Sequence, residues 1–381
     1  MEEKIVATEE KTSEKLDITT TRKIMVVGCG DGGCNIAATI ADAIPNNVFA
    51  ITYNLSNRAM NMRTAHTRIW PIGVDGSGKV RSDATETFKK STARRFMERA
   101  MEVLGKMDHC DYILVVGTAD GGTGSGTVPT MAKLLADNVD IPVIIMGVYP
   151  SIGEDAMSQY NAIQWQQDVT KTGLPYIILD NDVPGTLTDV HAAVNGYAVE
   201  IARILTGEAY GNTDISIIDN RNLYMLINQV GGRIVISTNK GRLDVNSDMT
   251  NFIETKLLAN DYQPAPSNVR GIGLFVKGPK DMIDRVDSSL VDFQSKYGQA
   301  LLKFAHLEIS NEPSVSILLS GCSEPSDRLR IMQSKYNDVT NATTNRVDVS
   351  KEMAASMANP LGAMKTGGKR GDTLNFSALE G

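Results

Sequence analysis

Thr118-Ala119-Asp120-Gly121-Gly122-Thr123-Gly124-Ser125-Gly126 follows the apolar run YILVVG (residues 112–117) and precedes a helical stretch at residues 128–136. Four of the last six positions are glycine. An unliganded turn needs one or two, and each further glycine costs backbone entropy. Glycines let backbone N–H groups approach an anion closely, and a helix N-terminus adds partial positive charge. Thr123 and Ser125 add hydroxyl donors for phosphate oxygens. The stretch therefore reads as a phosphate-binding loop between a strand and a helix.

A second glycine loop, Gly28-Cys29-Gly30-Asp31-Gly32-Gly33-Cys34-Asn35, stands in the same setting, after IMVVG (residues 24–28). VFAITYN (48–54), VIIMGVY (143–149) and YIILD (176–180) are further short apolar runs, the form of strands buried on both faces. Helical stretches at 35–43, 85–107, 128–136 and 154–171 alternate with them. The alternation predicts an α/β fold with right-handed crossovers and a doubly wound, mostly parallel sheet. Both glycine loops then lie at carboxyl ends of strands, where open α/β sheets bind ligands.

LTDVHAAVNGYAVEIARILT (187–206) reads as one long central helix, with Val190, Val194, Ala198, Ile201 and Leu205 along one side. Gly196 in its middle costs about 1 kcal/mol against alanine, which points to close packing there. RGIGLFVKG (270–278) and SVSILLSGC (314–322) read as strands of a second, smaller sheet flanking a helix at 280–297, with HLEISN (306–311) at its edge. Beyond Arg330 the chain turns polar and rich in small residues, the composition of a largely disordered tail with one short helix near 350–357. The expected organisation is a flexible arm at 1–20, a ligand-binding domain at 21–186, the central helix at 187–206, a smaller α/β domain at 207–330 and a tail at 331–381.

The chain has 381 residues, and two packed units are the default at that length. Its formal charge of −7 gives no electrostatic footprint for duplex nucleic acid, so direct nucleic-acid binding is not expected. Four cysteines without a CxxC pair suit free thiols in a reducing cytosol. The N-terminal MEEKIVATEEK is unlike a signal peptide, and no run approaches the roughly 20 apolar residues of a membrane span. A cytoplasmic location without membrane insertion is expected. His66, His109, His191 and His306 are scattered without metal spacing and read as packing or surface residues.

Two familiar nucleotide folds fit poorly. A dinucleotide-dependent oxidoreductase places an acid at the end of the second strand to hold the ribose. Here that strand ends in Tyr53 and Asn54. Residues 73–80, GVDGSGKV, match the GxxxxGK phosphate loop until Val80, which has no hydroxyl for magnesium. Gly76, Gly78 and Lys79 read better as a third loop lining the same site.

This pattern resembles the tubulin/FtsZ superfamily, whose signature GGTG(S/A/T)G appears at residues 121–126. The order of motifs agrees: the first loop at 28–35, the Asn-bearing turn Tyr53-Asn54-Leu55-Ser56, the GxG loop at 76–78, then the signature. The similarity covers roughly residues 23–325, with 270–322 resembling the family's activation domain and 21–186 its GTP-binding domain. It implies GTP and GDP as ligands, with Mg2+. Gly30, Asp31, Gly32, Gly33, Asn35 and Asn54 would lie on the first loop side. Gly121, Gly122, Thr123, Gly124 and Ser125 would cradle phosphates, and Gly78 and Lys79 would stand near the γ-phosphate. Glu154 would hold the ribose, while Asn181 and Asn195 would read guanine, whose acceptor and donor edges an Asn amide can pair.

The resemblance further implies head-to-tail self-assembly, with hydrolysis completed by acids of the next subunit. The corresponding stretch supplies Asp214 and Asp219 as catalytic carboxylates, with Ser216 where the family carries an earlier Asp. Either Asp214 supplies the second carboxylate from a shifted position, or one acid suffices and turnover is slow. Asp31 and Asp120 place carboxylates beside a polyanion. Asp31 is expected to point outward or bond to backbone; for Asp120, pointing away and helping to bind Mg2+ both stay open. Filaments that position or segregate DNA or other cargo are the expected role, and the C-terminal DTLNFSALEG favours a plasmid- or bacteriophage-type member over a cell-division ring. The tail is expected to dock on an adjacent subunit or an adaptor. A static, slowly hydrolysing scaffold is the alternative.

Overall fold

The computed structural model describes residues 22–56, 67–69, 76–209, 220–240, 249–252 and 268–357. The chain divides after Tyr336 into two compact units. The first contains a ten-stranded sheet of order β3-β2-β1-β4-β5-β6-β7-β10-β8-β9. Its strands are β1 (Ile24–Cys29), β2 (Val48–Tyr53), β3 (Thr67–Ile69), β4 (Tyr112–Thr118), β5 (Val143–Tyr149), β6 (Tyr176–Asp180), β7 (Arg233–Lys240), β8 (Gly271–Gly278), β9 (Leu302–Ile309) and β10 (Ser314–Cys322). The five apolar runs of the first half are thus β1, β2, β4, β5 and β6, paired in parallel as their patterning required.

The helices are α1 (Gly30–Ala43), α2 (Arg81–Thr87), α3 (Ala93–Lys106), α4 (Thr123–Ala136), α5 (Ala156–Thr172), α6 (Leu187–Thr206), α7 (Asn220–Tyr224), α8 (Met249–Phe252), α9 (Lys280–Lys296) and α10 (Ser326–Met357). A π turn at Phe88–Thr92 joins α2 to α3. Successive strand residues alternate between two cores. Val26, Leu114 and Met146 meet Ile36 and Ile40 of α1 and Val194, Ala198 and Ile201 of α6. Met25, Val27, Ile113 and Ile145 face the other way, toward Phe96 of α3, Met131 of α4 and Trp165 of α5. Helices on both faces explain why these strands are apolar throughout rather than alternating. Trp165 fits only because β5 carries Gly147 opposite it, where a Cβ would stand 2.1 Å from the indole ring.

Three expectations change. The second-half strands do not form a separate sheet. β7 pairs with β6 on one side, Tyr176 with Arg233 and Ile177 with Ile234, and with β10 on the other, so one sheet runs through. Without β7, β6 would end the parallel sheet in an edge of unpaired backbone groups. β10 is the strand that runs antiparallel to its neighbours, and α9 packs Met282, Ile283, Val286 and Phe293 against this end. Second, helix α10 occupies much of the segment read as a disordered tail. Its polar composition hid Leu329 and Met332, one turn apart, which seat its start in the core around Trp165. Third, Gly196 is not closely packed: a Cβ there would meet nothing within 4 Å. Among the described residues no helix is long and apolar enough to cross a membrane.

Candidate nucleotide site

A cleft of about 720 Å³ opens at the carboxyl ends of β1, β2, β4, β5 and β6. It is built from the turns that follow those strands. The β1–α1 turn brings Gly30, Asp31, Gly32 and Asn35 to its wall, and the β4–α4 turn brings Asp120, Gly121, Gly122, Thr123 and Gly124. Asn54 follows β2, Glu154 precedes α5, and Asn181 follows β6. A second cavity of about 310 Å³ shares Gly32, Asn35, Thr118 and Asn181 with the first and adds Asn195 of α6.

Helix capping separates the two walls. Asp155 caps α5 by accepting from the Ser158 amide at 2.9 Å. Thr186 and Asp189 form a reciprocal capping box on α6. No side chain caps α1 or α4, whose first turns face the cleft, whereas α6, which also reaches it through Leu187 and Val190, is capped. Their leading N–H groups and partial positive charge are left at the cleft, the arrangement that binds phosphate. Ser77 from the third glycine loop joins this wall, its hydroxyl 3.4 Å from that of Thr123.

The glycine density has a second cause that local reading did not supply. A Cβ on Gly33 would stand 2.4 Å from the Val116 carbonyl oxygen, and one on Gly124 would stand 2.7 Å from the Thr118 carbonyl oxygen. These glycines let the two loops and the strand ends between them pack against each other. Gly33 therefore serves the packing of the site and is not part of the cleft wall.

Several other expected contacts are displaced. Ser125 is buried, and its hydroxyl donates to the Gly121 carbonyl, one turn back on its own loop, so it is not a free phosphate donor. Lys79, at a left-handed φ of 66°, donates to Asp155 at 2.5 Å and to Ser158 Oγ at 2.7 Å. It stands beside the cleft, and neither it nor Gly78 lines the wall. Asp31 is exposed, in line with an outward placement, and its carboxylate accepts from the Asn54 side-chain amide beside the cleft. Asp214 and Asp219, with Ser216, lie outside the described residues.

The acids of the far wall are coupled. Burial raises the Glu154 carboxyl above its ordinary range, and the neighbouring Asp120 charge raises it further. Asp120 Oδ1 is buried without a hydrogen-bond partner. An orphaned carboxylate oxygen beside two uncapped helix starts fits a nucleotide whose phosphates bring a cation with them. Among the described residues no three His, Cys, Asp or Glu side chains converge on a metal site, so such a cation would rely on the phosphates for ligands.

Several residues of the wall were not expected there, among them Ser77, Thr118, Ser151 and His191. His191 lines both cavities, one helical turn before Asn195. The i, i+4 spacing on α6 was the available signal, because those positions share a helix face.

This is a nucleotide-binding α/β fold, and residues 23–184 match the Tubulin/FtsZ family, GTPase domain. Over that segment the chain resembles a GTPase domain of that family. Over 327 residues it is 22% identical to the tubulin-like protein CetZ2 of Haloferax volcanii, covering 81% of this chain and 90% of that one. The tubulin-like protein TubZ of Clostridium botulinum C phage is 29% identical over 182 residues, 44% of this chain and 48% of that protein. The fold superposes on a GTPγS-form protofilament of Bacillus thuringiensis serovar israelensis TubZ with a TM-score of 0.72 at 16% identity, covering 90% of this chain and 95% of that one.

Proposed function

We propose that the chain binds GTP in the described cleft, polymerises head to tail, and hydrolyses GTP where one subunit meets the next. The observation that carries this reading is the pair of uncapped helix starts, α1 and α4, converging behind glycine loops on one cleft. Gly30, Gly32 and residues 121–124 would hold phosphates through backbone N–H groups. Glu154 would hold the ribose, and Asn35, Asn181 and Asn195 would face the base. Mg2+ would accompany the phosphates and neutralise their charge, with Asp120 as its nearest protein carboxylate. The protofilament form of the Bacillus relative supports assembly of this chain in the same manner.

Asp219 and Asp214 would enter the neighbouring subunit's cleft and orient the attacking water, a task one carboxylate can perform. Filaments of this kind would position or segregate DNA or other cargo in the cytoplasm, with the C-terminal tail docking on a neighbour or an adaptor. Ser216, replacing an acid, favours a second reading in which filaments form but turn over slowly. Phosphate release measured against protein concentration tests both. The expected result is release that rises steeply above a threshold concentration and is lost in Asp219→Ala, which still binds GTP. Sedimentation without release would establish the scaffold, and failure to bind GTP would overturn the assignment of the cleft.

A further inference from the structure

Arg328, in the first turn of α10, is almost fully buried at 1% exposure. Its guanidinium spans two loop origins. Nε donates to Asp180 Oδ2 at 3.0 Å, and Nη2 donates to Asp180 Oδ1 at 3.3 Å and to the Pro150 carbonyl at 2.5 Å. Asp180 ends β6 immediately before Asn181, and Pro150 follows β5 immediately before Ser151; Asn181 and Ser151 both line the cleft.

The contacts continue inward from there. Asp180 Oδ1 also accepts from the Asp182 amide at 2.7 Å. The Asp182 carboxylate in turn accepts from Ser151 Oγ at 3.0 Å and the Ile152 amide at 3.1 Å. Ser151 closes the chain on Glu154, donating its amide to Oε1 at 3.2 Å. A bidentate guanidinium thus fixes the roots of two loops, and one carboxylate staples their tips together. Such a fork holds both position and angle, which a point charge cannot do.

We propose that Arg328 is the positioning residue for the nucleoside end of the cleft, setting Glu154 and Asn181 through Asp180 and Asp182. The inference rests on the reading of the cleft as a guanine-nucleotide site. It links α10 to nucleotide binding: a ligand that orders these loops also holds the start of α10, and coupling between two sites is reciprocal. The phosphate loops at 30–33 and 121–124 are not in this chain of contacts. GTP and GDP share their nucleoside, so both lose affinity by the same factor when the chain is cut.

The test uses the full chain below its assembly concentration, with equilibrium dialysis of GTP and GDP and hydrogen exchange over residues 326–332. Asp182 is exposed, so Asp182→Ala cuts the staple without touching the core. It is expected to weaken both nucleotides about tenfold, a typical coupling within one network, with the ligand-free melting temperature unchanged. Asp182→Asn keeps an acceptor oxygen and restores most of the affinity. GDP slows exchange at 326–332 in the wild type and no longer does so in Asp182→Ala. Arg328→Gln shows the same equal loss, and adding Asp182→Ala to it costs nothing further; if Arg328→Gln does not fold, the two Asp182 variants decide. Wild-type affinity in Asp182→Ala, or an Asp182→Asn as weak as Asp182→Ala, overturns the inference. A wild type that binds neither nucleotide overturns the reading of the cleft instead.

Discussion

The side-chain amide of Asn161, buried on α5, donates to the backbone carbonyl of Asp120 at 2.9 Å and, from the same nitrogen, to that of Lys79 at 3.0 Å. One amide thereby joins the third glycine loop to the signature loop, and α5 carries it because the sheet places that helix behind both. Asn161→Ala leaves the two carbonyls without this donor. A loss of roughly 1–3 kcal/mol in unfolding free energy is expected, with weaker GTP binding from the loosened loops. Urea denaturation and nucleotide titration check it, and an unchanged GTP affinity would refute the loop-joining role.

Glycines in this chain separate by what surrounds them. Gly33→Ala drives a methyl group into the Val116 carbonyl and is expected to cost about 1–3 kcal/mol. Gly196→Ala meets open space in the middle of α6 and is expected to add about 0.5–1 kcal/mol by relieving the helix of a glycine. Opposite shifts in melting temperature for the two variants are the expected result.

Asp180 gives the stability a pH dependence of unusual sign. Burial pushes its carboxyl up to about 6, with the neighbouring Asp182 charge adding to the rise and Arg328 opposing it. The folded state therefore takes up a proton that the unfolded chain releases. This contribution is fully present below about pH 4, the unfolded value, and fades as pH rises through about 6. It amounts to at most roughly 3 kcal/mol. Denaturation at pH 5 and pH 7.5 should show a smaller pH effect in Asp180→Asn than in the wild type, in the direction of lost stability at the higher pH.

Asp120 and Glu154 repel each other and any phosphate between them. Asp120→Asn removes one charge, worth on the order of 1 kcal/mol at this range. GTP binding in the presence of a chelator should therefore tighten, while the gain from adding Mg2+ should shrink. Titrations with and without Mg2+ measure both terms, and an unaltered Mg2+ effect would separate Asp120 from the cation.

The parallel strands, the helices between them and the central helix at 187–206 were legible because each depends on local periodicity. The glycine loops were legible because phosphate binding at a helix start uses consecutive residues. What the tertiary structure alone decided are pairings between distant segments. β7 joins β6 and merges two expected sheets, Leu329 and Met332 seat the start of α10 where a polar tail was expected beyond residue 330, and Ser125 turns its hydroxyl inward to Gly121. Arg328 and Asn161 carry no local motif at all. Their roles come from burial beside strand ends that lie far away in the chain, and only the folded sheet brings those ends together.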